Sequence, residues 1–419
     1  MEIINVCIAP APVTLSDDFC ADDRTSGVAS DELGIAAMKN IRTIAAANGI
    51  AKDAAFGAVT PPLYLSSNFA FREFEHEQEY EYSRTSNPTR NLLADTLAKL
   101  EGGGGAIVTS SGMAAVHLVL SLLHPGERVV APHDCYGGTH RLLAALHDKG
   151  HFEVEFVDQQ NEGALAAALQ LGAALVIVET PSNPLMRVSD IEAISRQAKS
   201  VGARLAVDNT FLSPALQQPI ALGADFVIHS TTKYLNGHSD VVGGAVIAAN
   251  SIDLENLQSW ANMTGVTGSP FDSYLTLRGV RSLFPRIERQ QRTAGAVADF
   301  LDQRSEISVV HYPGLATHPN HELAQRQQSG FGAMLSFELN GGIAAVRRFV
   351  AALKIFTLAE SLGGIESLIA HPATMTHVGM GAEARLAAGI GEGLLRVSIG
   401  LEAEEDLLSD LASSLAAIA

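Results

Sequence analysis

At 419 residues, with 47% hydrophobic and 18% charged side chains, the chain has material for a large core divided into two or three domains. Its formal charge of −18, with no basic cluster to reverse it, argues against binding to nucleic acid or to an anionic membrane. Three scattered cysteines, Cys7, Cys20 and Cys135, make neither a disulfide framework nor a metal site and fit a reducing cytoplasm.

Residues 1–36 carry Ala-Pro-Ala-Pro and a cluster of aspartates, a composition that predicts a disordered leader rather than a signal or transit peptide. A start at Met38 would leave that leader untranslated. Residues 37–87 follow as a separate segment, and from about 50 to 87, rich in Pro, Ser and aromatics, it has no sustained period. They read either as an arm toward a neighbouring subunit or as a loop packed on their own domain.

From residue 88 the pattern becomes regular. Apolar runs of strand length fall at 106–109, 128–131, 154–157, 175–179, 205–208, 226–229 and 245–248, and helical periods lie between them at 113–123, 139–149, 162–170 and 190–201. Such alternation predicts an α/β fold: a mainly parallel seven-stranded sheet covered by helices on both faces, over residues 88–285. Residues 286–419 bring spaced strands at 334–338 and 394–399 and a final amphipathic helix from about residue 403, which predicts a smaller α+β domain. No run is long enough to span a membrane.

Chemistry gathers at the carboxyl ends of the predicted strands. Asp208 ends one apolar run, and Lys233 follows another in Ser230-Thr231-Thr232-Lys233-Tyr234. A lysine amine and a carboxylate at one sheet edge are what pyridoxal phosphate requires: the amine binds the aldehyde as a Schiff base and the carboxylate keeps the pyridine nitrogen protonated. A solvated surface lysine and a turn-capping aspartate are the alternative. Ser110-Ser111-Gly112-Met113 precedes a helical run, so it is either a phosphate cradle joined by Ser230 and Thr232 or an ordinary glycine cap. Gly102 to Gly105 lacks the Lys-Ser or Lys-Thr of a nucleotide-binding loop and reads as a turn. His311, His318 and His321 match no metal spacing and read as surface-loop histidines. Cys135 has no base motif beside it and reads as structural.

Longer motifs narrow the choice. They are Tyr82-Ser83-Arg84 with Asn87-Pro88-Thr89-Arg90, the stretch from Ala131 to Gly138, Glu179-Thr180-Pro181-Ser182-Asn183-Pro184, Val207 to Phe211, His229 to Asp240, Phe331 to Phe337 and Ala359 to Gly364. Through them the chain resembles, from about Ile41 onward, the Cys/Met-metabolism enzymes of fold type I that depend on pyridoxal phosphate. Within that family it is most similar to the γ-synthase branch.

The resemblance implies that Lys233 carries the cofactor, that Asp208 pairs with its ring nitrogen and that Tyr136 lies against the ring, where its phenol helps deprotonate an incoming amine. It implies phosphate contacts from Gly112, Met113, Ser230 and Thr232, with Tyr82 and Arg84 supplied by the neighbouring subunit of a dimer that pairs into a homotetramer. Arg396, with Asn183 and Ser361 beside it, would hold a substrate α-carboxylate, and Glu360 and Arg141 complete the substrate site. The implied reaction is γ-replacement, O-succinyl-L-homoserine or its acetyl counterpart plus cysteine giving cystathionine and the released acid. A cystathionine γ-lyase, an acylhomoserine sulfhydrylase and a catalytically idle scaffold are the alternatives. The Glu360-Ser361-Leu362 segment lacks the tyrosine and tryptophan that flank the serine in the β-lyase branch. Two positions depart from the bacterial synthase pattern: Thr85 stands where an arginine is expected near the substrate entrance, and Ile399 replaces a threonine.

Overall fold

A computed structural model describes residues 40–418. The proposed leader, Cys7, Cys20 and the start at Met38 lie outside the described residues. Seven strands, β1 (Gly105–Thr109), β2 (Arg128–Pro132), β3 (Glu153–Val157), β4 (Leu175–Glu179), β5 (Arg204–Asp208), β6 (Phe226–His229) and β7 (Gly244–Ala248), form one sheet in the order β1-β7-β6-β5-β4-β2-β3. Strands β2 to β6 pair in parallel, and β7 runs antiparallel to both β6 and β1.

Side-chain alternation explains the two helical layers. Leu175 and Ile177 of β4 pack into one core with Leu118, Leu143 and Leu257, while Val176 and Val178 pack into a second with Leu165, Ile191 and Ile194. Successive strand residues face opposite sides, so a run apolar at every position is buried on both faces. Full burial of each such Val, Leu or Ile contributes roughly 1.5–3 kcal/mol. Every predicted strand of this sheet is present, with bounds within one residue of expectation.

Helix ends follow local chemistry. Asn87 caps Pro88–Glu101 by accepting from the N–H groups of Thr89 and Arg90 at 3.0 and 3.3 Å, with Pro88 at the first helical position. That helix stops at Gly102 in the left-handed conformation (φ 73°), so the glycine run is a helix terminator leading into β1. Helix Gly137–Asp148 begins two residues before the predicted 139. Packing demands glycine there: a Cβ on Gly138 would lie 2.5 Å from the Tyr136 ring and 2.9 Å from Met113 sulfur.

A second sheet holds β8 (Ile307–His311), β9 (Met334–Leu339), β10 (Thr357–Leu358), β11 (Leu368–Ala370) and β12 (Leu394–Ser398), in the order β10-β11-β12-β9-β8. The final helix is Glu404–Ala416. The proposed division at residue 285 falls in the first turn of the long helix Leu283–Asp302. Residues 50–87 are mostly turns with two isolated bridges, Asn68 to Tyr82 and Glu73 to His76, and they leave Phe56 and Phe74 exposed. Among the described residues no helix is long and apolar enough to cross a membrane.

The reading of the histidines as surface groups is corrected. His318 is buried, and His321 stacks on Phe331 at 5.4 Å between ring centroids. Burial pulls His311 and His318 down to about 4, so both are neutral at pH 7. A Pro-rich, His-rich string looks like a loop by composition, yet here it is pinned to the chain just before β9 by the Tyr312 hydroxyl, which donates to the Gly332 carbonyl at 3.1 Å.

Candidate active site

The carboxyl ends of β4, β5 and β6 open onto a cavity of about 560 Å³. Lys233, Asp208, Tyr136, Gly112, Met113, Ser230, Thr232, Asn183, Glu360, Ser361, Arg141 and Arg396 all line it. Tyr82 and Arg84 do not. Arg84 instead donates to the Asn262 carbonyl at 2.7 Å and lies over the Tyr82 ring on the surface.

Lys233 follows β6 in a turn in which its N–H donates to the Ser230 carbonyl, 3.2 Å away. Its Nζ donates to Ser361 Oγ at 2.8 Å. Burial, reinforced by the nearby Arg396 cation, lowers this amine from its ordinary 10.5 to about 8. The sign of the resulting linkage is definite. A lysine whose folded value is depressed destabilises the fold while both states are charged, and the penalty is relieved as pH rises from about 8 toward 10.5. A cofactor-free Lys233→Met variant is therefore expected to melt above the cofactor-free parent. The Tm gap, followed by calorimetry, should be widest below pH 8 and narrow as the solution becomes more basic; a gap that stays constant would contradict the burial argument.

Opposite the lysine, Arg396 rises from β12, where it pairs in register with Ser336 of β9 and Ala370 of β11. One guanidinium nitrogen donates to Asn183 Oδ1 at 2.9 Å and another to the Ser361 carbonyl at 3.0 Å. Burial lowers it only to about 10, so it remains a cation. Ser361 holds a left-handed backbone (φ 89°), a conformation that costs about 1–3 kcal/mol outside glycine. That turn aims its carbonyl at Arg396 and its hydroxyl at Lys233.

Two carboxylates stand side by side, because Glu179 and Asp208 are register partners on β4 and β5. Glu179 accepts the main-chain N–H of Tyr136 at 2.8 Å and of Asn183 at 2.9 Å, so it fixes both loops that carry site residues. Burial, then repulsion from Asp208, pushes Glu179 well above the usual carboxylate range. Burial also raises Asp208, against the pull of the Thr210 hydrogen bonds and of His229. In the sequence Glu179 stands in a motif, and its place at the end of an apolar strand, level with Asp208, is the signal of its role.

At the other end of the cavity, Ser111 caps helix Gly112–Leu120 by accepting from the Ala114 N–H at 3.1 Å. The cap is thus a serine, which leaves Gly112 free for close approach: a Cβ there would lie 2.8 Å from Ser230 Cβ. A helix start without side-chain bulk, facing the hydroxyls of Ser230 and Thr232, suits a phosphate dianion. No motif in the sequence marks His377. It is buried, held neutral with a value of about 4 by burial and by Arg396, and its Nε2 donates to the Asn183 carbonyl at 3.0 Å. It ties the 375–379 segment, which forms one wall of the cavity, to the loop that braces Arg396. Cys135 is buried and its thiol is pushed up by burial and by Glu179, which suits a structural role.

An amine kept close to neutrality, a strand-end carboxylate and an anion cradle fit pyridoxal phosphate. The sequence profile described as Cys/Met metabolism PLP-dependent enzyme matches residues 42–416. The chain belongs to this family. It is 55% identical over 370 residues to a cystathionine gamma-synthase of Escherichia coli (strain K12), covering 88% of this chain and 96% of that one. A crystal structure of cystathionine gamma synthase from Xanthomonas oryzae pv. oryzae in complex with cystathionine is 57% identical, with a TM-score of 0.90 over 90% of this chain and 98% of that chain. A cystathionine beta-lyase of Lactococcus lactis subsp. cremoris is 46% identical over 379 residues, 90% of this chain and 99% of that one. As a member of the Cys/Met metabolism PLP-dependent enzymes, this chain uses pyridoxal phosphate, and the fold is the α/β architecture its sequence predicts.

Proposed function

We propose that the chain is a γ-replacement enzyme that joins O-succinyl-L-homoserine, or the acetyl ester, to L-cysteine, giving cystathionine and the released acid. The observation that carries this reading is one cavity holding a buried arginine, Arg396, and a lysine, Lys233, bridged by Ser361, in a chain 55–57% identical to cystathionine γ-synthases from two organisms. When bound, the cofactor supplies an electron sink for negative charge at the substrate Cα. Lys233 and Asp208 would hold it, with Gly112, Met113, Ser230 and Thr232 at its phosphate and Tyr136 against its ring.

The remaining roles belong to side chains. Arg396, braced by Asn183 and Ser361, binds the α-carboxylate through its planar fork and orients Cα toward Lys233. The Tyr136 phenol takes a proton from the incoming amine. Lys233, close to neutral, takes the Cα proton and then carries a proton away from Cβ. The Cγ–O bond breaks, cysteine sulfur bonds to Cγ, and the protons return along the same route. Glu360 and the exposed Arg141, both lining the cavity, would meet the distal end of the substrate. Arg141 is then the group that recognises a succinyl carboxylate, because Thr85 only reaches Asn262, at 3.4 Å.

Oligomer formation is part of the reading. Phe56 and Phe74 are 95% and 89% exposed on the 50–87 segment, and Tyr82 and Arg84 lie away from their own chain's cavity. A homotetramer built from dimers would cover the aromatics and carry Tyr82 and Arg84 to the neighbour's phosphate. The domain division at residue 285 and a reducing, cytoplasmic setting, consistent with the free thiol of Cys135, complete the proposal.

Cleavage of cystathionine by a γ-lyase reaction is the second reading, supported by a 42% identical cystathionine gamma-lyase of Bacillus subtilis (strain 168). The test puts O-succinyl-homoserine plus cysteine in one reaction and cystathionine alone in another, following cystathionine, succinate and 2-oxo acids. Rapid cystathionine and succinate formation with slow cleavage is expected. Fast cleavage of cystathionine with poor use of the ester would replace synthesis with lysis.

A further inference from the structure

The sheet holds a buried acid–imidazole pair that the reaction above does not use. Glu101 is the last residue of helix Pro88–Glu101, and His229 is the last residue of β6; their side chains are 0% and 1% exposed. His229 Nε2 and Glu101 Oε1 are 2.6 Å apart, a contact that requires a proton between them. Asn209, next in sequence to Asp208, donates from Nδ2 to the same Oε1 at 2.9 Å. Its Oδ1 accepts from Gln217 Nε2 at 3.1 Å, and its Nδ2 also donates to the Gln217 main-chain carbonyl at 2.8 Å. Glu101 Oε2 is buried without a partner.

Stability alone is a poor account of this arrangement. A carboxylate at a helix carboxyl terminus opposes the helix dipole, and removing it from water adds a further penalty. What the arrangement does accomplish is positional. Asp208 lies between Glu179 on β4 and Ile228 on β6 in the sheet register, and His229 follows Ile228. Repulsion from Asp208 raises Glu179, whereas His229 draws the Asp208 carboxyl down against the effect of burial. One carboxylate thus grips both His229 and the residue after Asp208. Such an outer acid fixes the tautomer and orientation of an imidazole.

We propose that Glu101 and His229, with Asn209, are positioning residues for the cofactor, a buried carboxylate–imidazole pair that holds the strand end carrying Asp208 in place at the cofactor's ring nitrogen. The proposal rests on the pyridoxal phosphate assignment and is independent of which substrate the enzyme uses.

The test uses resolved and reloaded enzyme in four forms: parent, Glu101→Gln, His229→Gln and the double variant. The dissociation constant of pyridoxal phosphate and the position of the visible absorption band are measured without substrate, so a wrong reading of the reaction leaves the result intact. Each single variant is expected to weaken cofactor binding at least about tenfold and to move the band, while circular dichroism reports a native fold. The double variant should be little worse than either single one, because the pair acts as a unit, and Glu101→Asp should recover part of the loss. Parent-like affinity and band in a folded Glu101→Gln enzyme would overturn the proposal, as would losses that simply multiply in the double variant. Should Glu101→Gln fail to fold, the same constant and band in His229→Gln decide the matter.

Discussion

Lys233→Ala enzyme will bind pyridoxal phosphate without the covalent visible band and will lose at least about 10³-fold in turnover. Among the described residues the cavity is lined by no second lysine, and the two arginines there, Arg141 and Arg396, cannot act as neutral bases at pH 7. Loss of Lys233 therefore removes both the covalent anchor and the proton carrier at Cα and Cβ. The cofactor should still be held, because Asp208 and the Gly112 cradle are untouched. Folding should not suffer, since the amine is under-solvated and donates only to Ser361 Oγ. Absorption spectra with steady-state cystathionine formation decide the issue, and small primary amines added to the variant should restore part of the rate. A variant with parent-like turnover would sink the assigned role of Lys233 and, with it, the mechanism.

Much of this site was legible in the chain because parallel strands buried on both faces write themselves as unbroken apolar runs, and their ends mark where chemistry can stand. Asp208 and Lys233 were readable for that reason, as the residues at or just past two such runs. Arg396 was readable only through family likeness, since nothing in Leu395-Arg396-Val397 distinguishes a clamp from any buried arginine. What escaped was set by contacts across long stretches of sequence. Glu179 acts by accepting two main-chain N–H groups from separate loops, and His377 meets Asn183 across 194 residues. The His229 and Glu101 side chains meet across 128 residues, a proximity fixed only once β6 lies beside β7 and the first long helix packs on β7. Composition misled at His318, where a string of His and Pro that resembles a surface loop is packed under its neighbours.

Arg396→Lys should raise KM for the amino-acid substrate by about 10- to 100-fold and lower kcat as well, while leaving the cofactor's visible band unchanged. Lysine keeps the charge but not the fork. Of the two anchors, to Asn183 Oδ1 and to the Ser361 carbonyl, an ammonium at this depth can serve one while facing a carboxylate, and each charge-assisted bond lost is worth about 1.5–3 kcal/mol. The effect on kcat comes from aim. Ser361 bonds both Arg396 and Lys233, so a loosened Arg396 frees the turn that sets the position of Cα relative to the lysine amine. The band is insulated because the phosphate cradle and Asp208 sit on other elements. A substrate analogue lacking the α-carboxylate supplies the control: it should react equally poorly with parent and variant, because the lost interaction is already missing. If the variant discriminates against the analogue as strongly as the parent does, or if it sheds the cofactor, Arg396 is holding the fold or the cofactor rather than the substrate.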